Sequence, residues 1–159
     1  MEDLLLVLIR WLHVLSGVMW IGLLWYFNFV QIPSMPKIPD DQKPAIGKVI
    51  APEALFWFRW SALSTVVFGL LLAMMNGYLV DALFLSNALI GFGMWLGLIM
   101  AFNVWFVIWP NQQKALGMVE VEADAKAKAA RTAMLFSRTN TMLSIPMLFA
   151  MVAAQNMTL

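Results

Sequence analysis

Hydrophobic residues gather in four stretches of this chain, at residues 4–30, 54–75, 88–109 and 134–154, with polar or proline-rich segments between them. Each reaches, or nearly reaches, the roughly 20 residues that an α-helix needs to cross a bilayer core. The expected fold is therefore all-α, an integral membrane four-helix bundle forming one domain over residues 1–159. Residues 31–53 hold Pro33, Pro36, Pro39, Pro44 and Pro52, which argue against a continuous helix, so this segment is expected to be a loop with a short helical piece between Asp40 and Ile50. Pro52 then falls in the first turn of the second span, where its missing N–H costs nothing. In the segment 110–133, the alanines and the acidic-then-basic order from Glu120 to Thr132 predict that the last helix extends beyond the membrane. Pro146 deprives the Met142 carbonyl of its partner and predicts a kink. Gly93 and Gly97 form a G-x-x-x-G pattern whose usual meaning is close helix contact. No internal repeat or low-complexity tract stands out.

Charge decides the orientation. Hydrophobic residues make up 62% of the chain and charged residues 12%, half the charged share of a soluble domain. Lys37, Lys43 and Lys48 fall between the first two stretches, and Lys114, Lys126, Lys128 and Arg131 between the last two; Arg10 alone lies toward the opposite side. The positive-inside rule then makes both connections cytoplasmic and puts both termini outside. The first stretch is too long for a secretory h-region and has no small-residue cleavage site, so it is expected to be retained. A net charge of +1 gives no basis for nucleic-acid binding, and the lysines suit the surface of an anionic lipid bilayer. With no cysteine, disulfides, iron–sulfur clusters, thiolate zinc sites and covalent c-type haem attachment are excluded.

The single histidine, His13, sits inside the first stretch, about a third of the way in from the outer face. An ionisable group there is a functional-site candidate. Gly17 follows by four residues and Arg10 precedes by three, so all three share one helical face. Imidazole on iron, glycine for clearance and arginine near a propionate make a plausible layout for haem b, with His13 as the metal ligand. The plainer alternative is a histidine that only bonds a neighbouring helix, with Gly17 serving close packing. Since no second histidine exists, a second axial ligand has three sources: a methionine (Met74, Met75, Met147 or Met151), His13 of a second copy across a dimer axis, or none.

A second constellation lies at the cytoplasmic ends of the helices: Asn28, Gln31, Arg59, Asn103, Trp109, Asn111, Arg138 and Asn140. Amides, guanidiniums and tryptophans at one membrane level suit a substrate pocket for a planar or anionic small molecule. The same residue types also anchor helices at the interface and tie their ends together.

The strings WLHVLSGVMWIGLLWYFNFVQIP, NVWFVIWPNQ and SRTNTMLSIPMLF, with a looser likeness around FRWSAL, resemble the membrane domain of the bacterial cytochrome c-linked urate oxidases, the membrane urate hydroxylases. The resemblance implies that His13 and the residues of the cytoplasmic level occupy family motif positions. It also implies an inner-membrane redox protein that feeds electrons to a periplasmic cytochrome c. The missing cysteines make this a short form without the cytochrome domain. Bacterial protoporphyrinogen oxidases and copper-resistance membrane proteins, which share a tryptophan- and histidine-bearing first helix, are weaker likenesses. The alternative is a non-catalytic accessory subunit of a larger membrane respiratory or oxidase complex, as a homodimer or otherwise. Transport of a small anion is the third reading, and it lacks a matching polar path through the outer half.

Overall fold

The computed structural model describes residues 1–157, which are helical with no strand among them. Four long helices and one short one account for the chain: α1 (Glu2–Lys37), α2 (Lys43–Met75), α3 (Leu79–Leu83), α4 (Ala88–Ala115) and α5 (Ala123–Asn156). Helices α1, α2 and α4 are long and apolar enough to cross a membrane. The protein is thus an all-helical membrane protein.

The long helices pair as two hairpins, α1 with α2 and α4 with α5, and the hairpins meet along a narrower seam. The core at that seam is built from Trp20, Leu24, Phe27, Leu55, Phe58, Met100, Val104 and Ile108, all buried. Phe27 and Phe58 meet edge to face at 5.7 Å between centroids, a geometry that adds to simple area burial.

The proline-rich segment differs from expectation. Helix α1 runs on through Pro33 and Pro36 to Lys37, and α2 begins at Lys43, so the loop predicted over 31–53 shrinks to residues 38–42. The reason lies in three widened, π-helical turns at Tyr26–Gln31, Ile46–Ile50 and Asn103–Ile108. Each ends two residues before a proline: Pro33, Pro52 and Pro110 respectively. Proline lacks the N–H that would reach the carbonyl four residues back, and its ring collides with that carbonyl in a regular helix. Widening the preceding turn moves the carbonyl aside, so the helix continues where an α-helix would break. Pro52 lies in the first turn of the regular α-helix Ala51–Met75, as expected, and the widened turn ahead of it carries α2 back to Lys43. Sequence periodicity also concealed the likeness of the hairpins: each opens with a helix carrying a six-residue widened turn ahead of a proline. Pro146, by contrast, sits within uninterrupted helix α5.

Helix α5 is inside-out by the standards of a soluble protein. Its polar residues Ser137, Asn140, Thr141 and Ser144 are buried, whereas Met142, Ile145, Phe149 and Val152 are more than 60% exposed. Ser144 Oγ accepts from Trp25 Nε1 of α1 at 2.9 Å, and Ser137 Oγ accepts from Asn28 Nδ2 at 2.8 Å, so this polar stripe clips the second hairpin to the first. Asn140 accepts from Asn103 Nδ2 and donates to the Met100 carbonyl, both at 2.9 Å, closing α5 on α4. Such interhelical bonds contribute about 0.6 kcal/mol each in a bilayer, so their value lies in register as much as in stability.

At the end bearing the termini, Gly77 (φ +75°) lets the chain reverse after α2. Tyr78 follows it, and α3 then folds against α4, where the Ala82 carbonyl lies so close to Gly91 that a side chain there would collide with it. On the opposite side, Lys43 forms an ion pair with Asp40, and the hydrogen bond and charge of Lys43 hold the exposed Asp40 carboxyl below its ordinary range.

Candidate functional site

His13 is held by α2. Its Nδ1–H donates to the Thr65 backbone carbonyl at 2.8 Å. That carbonyl belongs to the turn of helix that closes on Gly69, and the imidazole lies directly over Gly69. A Cβ at that position would stand 2.8 Å from Cε1 and 3.0 Å from Nδ1 of His13. Glycine is therefore the residue that lets the ring lie flat against α2. Thr65 is itself anchored, since its hydroxyl donates to the Ser61 carbonyl at 2.7 Å. With Nδ1 committed as a donor, the neutral imidazole keeps its lone pair on Nε2, which bonds no group among the described residues. A backbone carbonyl that fixes the tautomer and angle of an imidazole is the usual companion of a metal-ligating histidine.

His13 lines a cavity of about 650 Å³ enclosed by α1, α2, α4 and α5, within the range of cofactor pockets. Gly17 and Arg10 line it too, so the three residues that share a face in the sequence share a cavity in the fold. The walls are apolar: Trp20, Ile21, Leu70, Ile90, Leu98 and Leu148 contribute from all four helices. Polar groups collect at the end near the termini, where Arg10 is joined by Tyr78, Gln155 and Asn156. Burial holds the Tyr78 hydroxyl above its ordinary pKa, and the charge of Arg10 pulls it the other way, which puts the two groups within electrostatic reach. Across the cavity stand Met94, Met147 and Met151. Met74 and Met75 do not line it and are exposed.

The two glycines of the G-x-x-x-G pattern divide their work. A Cβ at Gly93 would stand 3.1 Å from Ala150 Cβ, the close helix contact expected there, whereas Gly97 has nothing within 4 Å of where a Cβ would stand and lines the cavity instead. Gly17 likewise has room, since a Cβ there would meet Thr65 Cγ2 only at 3.8 Å, an ordinary contact. Gly69 and Tyr78 carry no signal in the sequence. One is a glycine in an apolar run and the other a residue of a turn, and only the crossing of α1 on α2 gives them a role.

The polar level at the opposite end of the helices from the termini, expected to be cytoplasmic, is organised pairwise. Asn103 and Asn140 bond each other, and the Arg59 guanidinium lies over the Trp109 ring with Cζ 3.8 Å from its centroid. A cation stacked on tryptophan at a part-exposed site contributes about 0.5–1 kcal/mol. Asn111 bonds its own helix at the Val107 carbonyl, and Arg138 points outward, exposed. Asn28 is fixed by two donated bonds, to the Leu24 carbonyl and Ser137, so its Oδ1 is an acceptor by construction. That oxygen has no donor, and neither have Gln31 Oε1 and Gln112 Oε1, all three buried.

An all-helical membrane fold with a histidine-bearing cavity between two hairpins is the class these features define. The chain belongs to the family described as urate oxidase N-terminal, which matches residues 78–158, slightly more than half of its length. No curated protein and no solved structure matches it.

Proposed function

We propose that this urate-oxidase-like membrane protein is a redox protein of the bacterial inner membrane that binds a b-type haem at His13 and passes electrons to an acceptor, such as a cytochrome c, on the side of its termini. One observation carries the reading: His13 is pinned through Nδ1 on the Thr65 carbonyl, which frees Nε2 beside a cavity that is apolar in its depth and cationic at its rim. That is the donor set for a planar, amphipathic, anionic cofactor with a Lewis-acidic centre. When bound, haem would supply reversible one-electron chemistry at iron. The chain's residues do the remaining work. Thr65 and Gly69 aim the imidazole, Arg10 and Tyr78 receive the acidic edge, and the apolar walls keep water from the centre. The test is the absorption spectrum of the gently purified protein, made with ample haem, oxidised and then dithionite-reduced. A Soret band and a sharp reduced α band are expected; their absence would leave the accessory-subunit reading as the better one.

The bundle in this reading has four spans. The apolar stripe Met142, Ile145, Phe149 and Val152 of α5 faces outward as a lipid-facing surface does, while its polar side chains are satisfied inside. Both connections are then cytoplasmic. Reporter fusions at Lys43 and Lys126 should read cytoplasmic and a fusion at the C-terminus periplasmic; a cytoplasmic C-terminus would overturn this topology.

A second reading concerns the cytoplasmic level. The donor-free oxygens of Asn28, Gln31 and Gln112 favour a planar substrate rich in N–H groups over a plain anion, in keeping with a urate-like compound. Arg59, committed to Trp109, would flank such a molecule rather than clamp it.

A further inference from the structure

This inference rests on the haem reading and concerns the opposite face of the same cavity. The first hairpin offers His13; among the cavity residues of the second, the neutral donors at membrane depth are three thioethers, Met94, Met147 and Met151. Their surroundings differ. Met147 is 6% exposed and belongs to the apolar core with Trp20 and Leu24. Met151 is laid across Gly93, its Cε 3.4 Å and Cγ 3.5 Å from where a Cβ would stand, so its thioether fills the contact of α5 with α4. Met94 has neither engagement, and one turn along its helix Gly97 leaves open space, much as Gly17 does one turn from His13.

Height in the membrane agrees. Asn28 meets Ser137 and Asn103 meets Asn140, which fixes the vertical register of α1 and α4 against α5. His13 lies fifteen residues outward of Asn28 and Met94 nine outward of Asn103, while Asn140 is itself three residues outward of Ser137. At about 1.5 Å per residue, the two Cα atoms come within about 5 Å of one height; Met151, fourteen residues outward of Ser137, comes within about 2 Å, so the lean of the side chains, not height, separates the candidates. Both helices run inward from the outer face, so both side chains lean outward together, whereas α5 runs the other way and its methionines lean away from His13.

We propose that Met94 is the second axial ligand, so that the cofactor spans the cavity from His13 Nε2 of one hairpin to Met94 Sδ of the other. Haem held this way would link the hairpins where protein contacts between them are sparse, and a soft thioether opposite imidazole would favour its reduced state relative to two imidazoles. No second copy of the chain is required to complete the coordination.

The experiment uses the whole haem-loaded protein in detergent. The ferric wild type should show the weak near-infrared charge-transfer band of a thioether–iron bond. Met94→Leu should keep the Soret band, held by His13, and lose the near-infrared band completely. Met94→His should replace it with a bis-imidazole spectrum and a lower midpoint potential. Met147→Leu and Met151→Leu should retain the band. The assignment is overturned if the haem-loaded wild type lacks the band, if Met94→Leu keeps it, or if either α5 variant alone removes it. A wild type that takes up no haem at all overturns the haem reading and this ligand with it, a result separate from a loaded protein that lacks the thioether signature.

Discussion

His13→Ala should yield a folded membrane protein with no Soret band and no reduced α band. The substitution removes the only imidazole and leaves space beside α2, because the ring occupies a notch rather than a structural interlock. What it takes from stability is one part-buried bond to the Thr65 carbonyl, on the order of 1 kcal/mol, and the hairpin clips at Ser137 and Ser144 are untouched. The loss should therefore be specific. Adding imidazole to the variant should restore the band in part, since a free base can enter the space the side chain vacated. A full-strength Soret band in His13→Ala would show that the iron is held elsewhere.

Gly69→Val should be nearly as damaging although it leaves every candidate ligand in place. The first carbon added at Gly69 already stands 2.8 Å from His13 Cε1, closer than any ordinary contact, and the two further methyl groups forbid the ring its position. The imidazole must rotate away and lose the Thr65 carbonyl that fixes its tautomer. Losing such outer-shell support weakens metal sites by about 10- to 100-fold, and the residual bound species should be spectrally mixed. Gly69→Ala should lie between Val and wild type. Haem titration of the three proteins distinguishes this from general misfolding, because a merely unstable variant would lose α-helical content along with its affinity. Equal affinity in Gly69→Val and wild type would mean that His13 is not the ligand or is not aimed by α2.

Much of this was legible in the sequence, and the part that was not has a common cause. His13, Arg10 and Gly17 could be grouped because they sit on one helix, where spacing alone fixes the shared face. Gly69, Thr65, Tyr78 and Met94 contribute from other helices, and spacing within one helix says nothing about which residues a second helix will bring across. The same limit explains the polar level at the end away from the termini. Eight polar residues could be assigned to one height, but their pairing, Asn103 with Asn140 and Arg59 with Trp109, depends on rotations about each axis that the widened turns alter. Those turns also account for the loop predicted over 31–53. Proline is read as a helix breaker, and a turn wide enough to accommodate it leaves no mark of its own in the hydrophobic pattern.

With α5 as the proposed fourth span, its inverted faces bear on how the chain enters the membrane. Measured alone, a segment carrying Ser137, Arg138, Asn140, Thr141 and Ser144 is a poor substrate for the insertion machinery, which scores each helix by its own transfer energy. Helix α4 is amply apolar and precedes it by a short connection, with Asn103 ready to donate to Asn140 and the Met100 carbonyl ready to accept from it. The second hairpin is therefore expected to enter as a unit, α4 acting as an intramolecular chaperone that waits at the lipid boundary until α5 has emerged. Synthesis of α5 without α4 would deliver the same residues to the aqueous side.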